Sequence, residues 1–244
     1  MNNYKITIEY DGTCYCGWQR QKNAVSIQQA IEQKLKKILF EKIRLTGFSR
    51  TDSGVHAAGQ VANFYTKNTL KSSKIQHALN AHLPYDIRIT GIKKMRLDFN
   101  AQKDAKTKIY RYSILNRKQN SPFCAKYALF YPSALNINKM RAASKILTGK
   151  HDFLSFKGAK GITKTSVRTV KQIKVSKRNC MIDIDIEATG FLYNMARIMV
   201  GTLIEVGRGK ISPSYVKEIL KFRNRKKAGP TAPARGLTLL KVKY

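Results

Sequence analysis

The strongest constraint on the fold is a change of hydrophobic period that recurs along the chain. Residues 4–10 alternate, with Tyr4, Ile6, Ile8 and Tyr10 on one face and Lys5, Thr7 and Glu9 on the other. That is the period of a strand with one buried face. Asp11 and Gly12 end it as a turn. Ser26 with Gln29 makes a capping box, and Ile27, Ile31, Leu35 and Ile38 then fall on one helical face as far as Phe40. Residues 43–48 and 60–66 return to strand. Ser72 or Ser73 caps a short helix through Leu79, Pro84 stops it, and residues 87–97 give a fourth strand. The order β-α-β-β-α-β is that of a ferredoxin-like unit.

Residues 98–106 lack periodicity and read as a linker or a cleft-lining segment, which puts a domain boundary near Lys103 and divides the chain into 1–103 and 104–244. Residues 108–114 alternate again, with Tyr110 and Tyr112 on one side of a strand. A helix follows from Asn136 to Leu147 with Gly149 as its C-cap, then a hairpin of strands over 165–175 and 179–188. An apolar helix from Phe191 to Val206, a short helix with Ser212 as N-cap and Pro213 at its first position, and a closing strand over 237–244 complete the chain. The same topology thus recurs with an extra helix. The expected fold class is α+β: two ferredoxin-like halves with mixed or antiparallel sheets flanking a central basic cleft.

Charge narrows the function. The 244 residues carry 47 Lys and Arg against 14 Asp and Glu, a formal net charge of +33. Such a surface favours a polyanion, because neutralised phosphates release counterions. A coding bias toward Lys and Asn also raises the charge, and an anionic membrane is the weaker rival because no basic amphipathic helix stands out. No apolar run approaches a membrane span, and residues 1–5 open directly into a strand pattern rather than a signal peptide, so the expected location is the cytoplasm. Cys14, Cys16, Cys124 and Cys180 lack the spacing of a zinc site or a disulfide framework and are expected as reduced thiols. His56, His77, His82 and His151 lie in four unrelated contexts. Asp183, Asp185 and Glu187 alternate with Ile182, Ile184 and Ile186 and read as a solvated sheet face. No metal is assigned to any of them.

Against this basic background one acid stands out. Asp52 lies in Arg50-Thr51-Asp52-Ser53-Gly54-Val55-His56, on the connection between two strands. These residue types also make an ordinary surface turn. A carboxylate beside an anomeric carbon can instead attack it or steady the positive charge that develops as a glycosidic bond breaks. That chemistry needs the ionised form, which a nearby guanidinium favours. One carboxylate suffices when the leaving base is retained, and the reaction is then an isomerisation.

At these residues the chain resembles the tRNA pseudouridine synthases that modify uridines 38, 39 and 40 of the anticodon stem-loop, whose usual motif reads Gly-Arg-Thr-Asp-Ala-Gly-Val-His. Ser49 and Ser53 stand where the family has Gly and Ala. The likeness extends to Asp11-Gly12 with Gly17-Trp18-Gln19-Arg20, to Tyr110-Arg111-Tyr112, to His151-Asp152-Phe153 with Ser155-Phe156, to residues 191–201, and to Ala232-Pro233-Ala234 with Gly236-Leu237. Asn100, Gln102, Tyr193 and Asn194 stand where the family is usually basic or has His.

The resemblance implies that Asp52 is the nucleophile, that Tyr110 stacks on the target uracil, that Arg197 pairs with the aspartate and that Arg50 enters the space left by the flipped nucleotide. It also implies a homodimer and a tRNA partner, and because such an isomerisation oxidises and hydrolyses nothing, no cofactor is expected. Physically, a base reworked within a helix must be extruded, and a planar Arg can hold the vacated stack while a Tyr face accepts the base. Sheet packing is the plainer reading of Tyr110, and an outward charge that of Arg197. For Trp18, anchoring a loop to the core competes with RNA contact. Two other functions stay open: a non-catalytic basic RNA-binding protein, which leaves Asp52 without a task, and an RNA glycosidase or nuclease, which needs a second acid, a base or a metal.

Overall fold

The computed structural model describes residues 1–159, 161 and 163–244. They form two compact units: Met1–Lys106 with Leu239–Tyr244, and Thr107–Thr238.

The first unit runs β1 (Asn2–Tyr10), α1 (Ile27–Leu39), β2 (Thr46–Gly47), β3 (His56–Thr66), α2 (Ser72–His82) and β4 (Ile87–Met95). This is the β-α-β-β-α-β order that the sequence predicts. β1 lies between β4 and β3, antiparallel to both, and β2 pairs with β3. The alternation of residues 4–10 is realised in full, since Tyr4, Ile6, Ile8 and Tyr10 are all buried. On α1, Ile27, Ile31, Leu35 and Leu39 form the buried stripe, and Ile38 is half-buried. Each such buried aliphatic side chain contributes about 1.5–3 kcal/mol relative to exposure. The helix stops where Phe40 turns to φ 56°. At its other end Ser26 Oγ accepts the Gln29 N–H at 3.2 Å. α2 opens without a side-chain cap, so neither Ser72 nor Ser73 caps it. Paired hydrogen bonds between the Asn80 side chain and the Ile89 backbone, 2.8 and 2.9 Å, hold it to β4.

The second strand is shorter than expected. Residues 43–45 do not join a ladder, and the backbone groups of Leu45 are taken by α1: its N–H donates to Glu32 Oε1 at 2.8 Å, and its carbonyl accepts from Gln28 Nε2 at 3.1 Å. Residues 98–106 are no loose linker either. Phe99 and Ala101 are buried, Asn3 Nδ2 donates to Phe99 O at 2.9 Å, and Ala101 N–H donates to Asn63 Oδ1 at 2.9 Å.

The second unit contains β5 (Thr107–Leu115), β6 (Leu129–Phe130), α3 (Ile137–Leu147), β7 (Gly149–Asp152), β8 (Val167–Arg178), β9 (Met181–Ala188), α4 (Met195–Gly207) and α5 (Tyr215–Phe222). Its strand order is β5-β9-β8-β7, antiparallel throughout, with β6 parallel to β5. Gly149 opens β7 with φ 117° rather than capping α3, whose C-cap is Thr148. Residues 191–194 precede α4 as a loop that ends on Asn194 at φ 58°. The last strand, β10 (Leu237–Lys243), belongs to the first unit from Leu239 on and lies beside β3. There a Cβ on Gly59 would come within 2.4 Å of Leu240 O. No helix among the described residues is long and apolar enough to cross a membrane.

Candidate active site

Asp52 sits on the connection from β2 to β3, and the backbone on both sides of it is tied down. Phe48 N–H donates to Val61 O at 2.8 Å, and the Gln60 side chain donates to Ser49 O at 2.9 Å. Thr51 is buried; its hydroxyl lies 2.8 Å from that of Tyr10, and its carbonyl accepts Trp18 N–H at 3.2 Å. Beyond Asp52, Val55 N–H closes a turn onto Asp52 O at 3.2 Å, with Gly54 at φ 74°. Ser53 Oγ reaches Tyr15 O at 3.3 Å. Between these fixed points Asp52 is half-buried and Arg50 exposed. Ser49 does not take the left-handed conformation that would call for glycine, so Ser is accommodated there.

The stretch from Asp11 to Arg20 supports this loop from behind. A Cβ on Gly12 would stand 2.0 Å from Val55 O, and one on Gly17, at φ 84°, 2.4 Å from Thr51 O. Only glycine lets the two backbones approach so closely. Trp18 is 2% exposed, lies against Gly47 and stacks on Tyr10 with centroids 6.5 Å apart, so its place is that of a core anchor. Buried His56 has Nδ1 at 3.1 Å from both Gly12 N and Asp11 Oδ1. Unprotonated, Nδ1 accepts the Gly12 N–H; protonated, it donates to Asp11 instead, and it cannot do both. Arg20 pairs with buried Glu32 on α1, while its own N–H donates to Gln28 Oε1 at 3.1 Å. Sequence reasoning missed the supporting roles of Tyr10, Gln60 and the two glycines. The glycines and the Asp11 turn were the available signal.

Tyr110 and Arg197 belong to the second unit. Tyr110 is buried and meets Phe191 edge to face, with centroids 5.2 Å apart. The Lys108 ammonium stands 5.7 Å over the same Phe191 ring, and burial, aided by the Arg168 charge, lowers its pKa to about 8. Half-buried Arg197 rises from the first turns of α4 among buried Met195, Ile198 and Met199. Its Nε donates to Ala232 O at 2.6 Å and its Nη1 to Asn194 Oδ1 at 3.2 Å, while Ala232 N–H returns a bond to Arg197 O at 3.1 Å. Residues 229–232 can lie this close to α4 because Gly201 and Gly229 have no side chains: a Cβ on Gly201 would fall 1.8 Å from Pro230 O. Tyr112 donates to Pro233 O at 2.9 Å, and burial raises its pKa while the Arg197 and Arg235 charges oppose the rise.

The acidic row on β9 is not simply solvated. Arg111 grips Asp185 in a bidentate pair at 2.7 and 2.8 Å, Ser113 Oγ donates to Asp183 at 2.7 Å, and Thr107 Oγ1 donates to Glu187 at 2.7 Å. The acids answer β5 across the ladder, which a one-strand reading does not reveal. Among the described residues no group of three or more His, Cys, Asp or Glu could hold a metal ion.

Comparison with known proteins identifies relatives along the whole chain. The profile of the tRNA pseudouridine synthases matches residues 6–102 and 143–244. The chain is 49% identical over 245 residues to tRNA pseudouridine synthase A of Thermoanaerobacter sp. (strain X514), covering 100% of both chains. It is 45% identical to tRNA pseudouridine synthase A 2 of Clostridium perfringens (strain 13 / Type A) over 244 residues, again 100% of both. The corresponding protein of Geotalea daltonii is 41% identical over 244 residues and 100% of both chains. With likeness of this extent over its whole length, the chain belongs to the tRNA pseudouridine synthase family.

Proposed function

We propose that Asp52 is the residue on which this family's conversion of uridine to pseudouridine turns, and that its targets are uridines 38, 39 and 40 of the tRNA anticodon stem-loop. The reaction breaks the bond from C1′ to N1 of uracil, rotates the base and joins C1′ to C5; the C5 proton is lost and N1 gains one. Nothing is oxidised or hydrolysed, so the balance needs no redox group and no added water. The observation that carries the assignment is the fixed backbone around Asp52, with Thr51 held by Tyr10 and Trp18 and the turn closed at Val55. Electrostatic and nucleophilic catalysis both depend on a group held in place before the reaction begins.

In this reading residues 1–103 supply the carboxylate, and residues 104–244 supply Tyr110 to stack on the uracil and Arg197 to pair with the aspartate. Exposed Arg50 takes the place of the extruded base. The net charge of +33 supports tRNA as the partner. The resemblance supports a homodimer, and the proposed location is the cytoplasm. The experiment is to incubate the parent protein and Asp52→Asn with an unmodified tRNA transcript and map pseudouridine by a chemistry selective for it, since isomerisation leaves the mass unchanged. Modification at 38–40 by the parent alone, with Asp52→Asn still folded and binding tRNA, is expected. Modification by Asp52→Asn at the parent rate would remove Asp52 from the chemistry, and no modification by either protein would leave a basic RNA-binding protein as the better reading.

A further inference from the structure

The first unit holds a pocket of about 540 Å³ between α1 and the stretch that leads into β2. Arg20, Lys36, Lys42 and Arg44 line it together with Gln28 and Glu32. Its only acid is already committed: Glu32 is 5% exposed and takes the Leu45 N–H at 2.8 Å, Gln28 Nε2 at 2.9 Å and the Arg20 guanidinium. Glu41, close by in sequence, faces the end of β3 instead, accepting from Thr66 Oγ1 at 3.0 Å and Lys67 N at 3.1 Å. Lys36, Lys42 and Arg44 are exposed, and none of them makes an ion pair among the described residues.

The surroundings therefore offer a neutralised floor and a rim of three unanswered cations, together with the outer edge of Arg20, which suits an anion. Arg adds a planar fork that matches phosphate oxygens. Ile43 is the one apolar side chain in the lining, and no aromatic contributes. With no aromatic face, a free nucleotide would find nothing to stack its base on. What remains is a phosphate whose base is held elsewhere. The pocket is also linked to the Asp52 loop through one short segment, because Trp18 bonds to Thr51 O while Arg20, two residues on, reaches Glu32.

We propose that this pocket is a phosphate subsite, distinct from the Asp52 loop, that takes a backbone phosphodiester of the bound tRNA. The proposal rests on the tRNA reading above. It deepens that reading by assigning part of the affinity to one place rather than to the general positive field.

The test compares two charge-reversed pairs in the full-length protein: Lys36→Glu with Lys42→Glu in the pocket, and Lys93→Glu with Lys94→Glu, both exposed on β4. Affinity for an unmodified tRNA transcript is measured across a salt series, with thermal melting to confirm folding. The pocket pair should weaken binding about 10-fold more than the β4 pair and lower the slope of log affinity against log salt by about one for each phosphate that the protein no longer neutralises. Equal losses from both pairs would show only the general field and overturn the subsite. In a second arm, melting is followed with inorganic pyrophosphate and with AMP. Stabilisation of the parent by either that vanishes in the pocket pair, while tRNA affinity matches the β4 pair, would assign the pocket to a small phosphate compound and also overturn the proposal. Binding is read without turnover, so the two readings fail separately. Pocket-dependent binding without pseudouridine removes the isomerase assignment alone, and pseudouridine formation with an indifferent pocket pair removes the subsite alone.

Discussion

The hydroxyls of Tyr10 and Thr51 lie 2.8 Å apart in a buried setting, so the end of β1 holds the residue that precedes Asp52. Tyr10→Phe keeps the ring stacked on Trp18 but deletes this bond, at a cost of about 1 kcal/mol in stability. Thr51→Val deletes it from the other side. Because both remove one interaction, the double variant should lose less than the sum of the singles. Each should lower kcat by loosening the Asp52 backbone while KM for tRNA changes little. Melting and steady-state kinetics on the three proteins check this, and strict additivity would mean that the hydroxyl pair does not position the loop.

How legible such pairings are depends on where the backbone bonds go. The alternation of Tyr4, Ile6, Ile8 and Tyr10 gives away β1 because burial on one face writes a period of two into the sequence. Leu45 misreads as strand because its backbone partners are the side chains of Gln28 and Glu32, polar positions that hydrophobic periodicity discounts. Likewise Asp183 and Asp185 look solvated until β5 brings Ser113 and Arg111 opposite them. The Asp52 loop is visible as a motif, but its supports are not. The close approach that Gly12 permits, where a Cβ would stand 2.0 Å from Val55 O, involves a residue 43 positions away, and no local pattern records it.

Tyr110 is pressed edge-on against Phe191. If its face receives uracil, Tyr110→Ala should lose about 1–3 kcal/mol of stacking, seen as a rise in KM beyond what its loss of melting temperature explains. Tyr110→Phe should keep most of the activity. Equal losses in two folded variants would move the role from the ring to the hydroxyl.

Arg50 is exposed, whereas Thr51 and Val55 are buried, so its side chain is accessible to RNA. Arg50→Ala should slow modification of a uridine within a paired stem more than one in a flexible loop, where extrusion costs less. Assays on matched stem and loop substrates decide this; the same factor on both would argue against occupation of the vacated stack.

Arg197 donates to Ala232 O and to Asn194 Oδ1, which fixes the plane of its guanidinium. A cycle of Asp52→Asn, Arg197→Met and the double variant, followed by melting, should show a coupling of at least about 0.5 kcal/mol if the two side chains pair. Arg197→Lys should not restore full turnover, because the ammonium lacks the fork. Independent effects of the two substitutions on stability would remove the pairing from the mechanism.

Lys108 gives the pH dependence a definite sign. Burial first, and the Arg168 charge second, bring its pKa down from the ordinary 10.5 to about 8 in the folded chain. A lysine whose folded pKa is lowered penalises the fold in full below about pH 8. The penalty fades between that value and the unfolded value of about 10.5, since the unfolded chain binds more protons there. Stability should therefore rise with pH through this window, by no more than roughly 3 kcal/mol for this group. Lys108→Met keeps the hydrocarbon over Phe191 and removes the charge. Its cation–π loss, about 0.5–1 kcal/mol, is the smaller effect, so the variant should melt higher than the parent at pH 7 and the gap should close toward pH 10. Tyr15, Tyr112 and Tyr244, whose pKa values are raised by burial, lose stability above their ordinary range, but they are present in both proteins and cancel in the difference. Melting curves of the two proteins from pH 6 to 10 supply the test, and a gap that stays constant with pH would show that the Lys108 charge is not under strain.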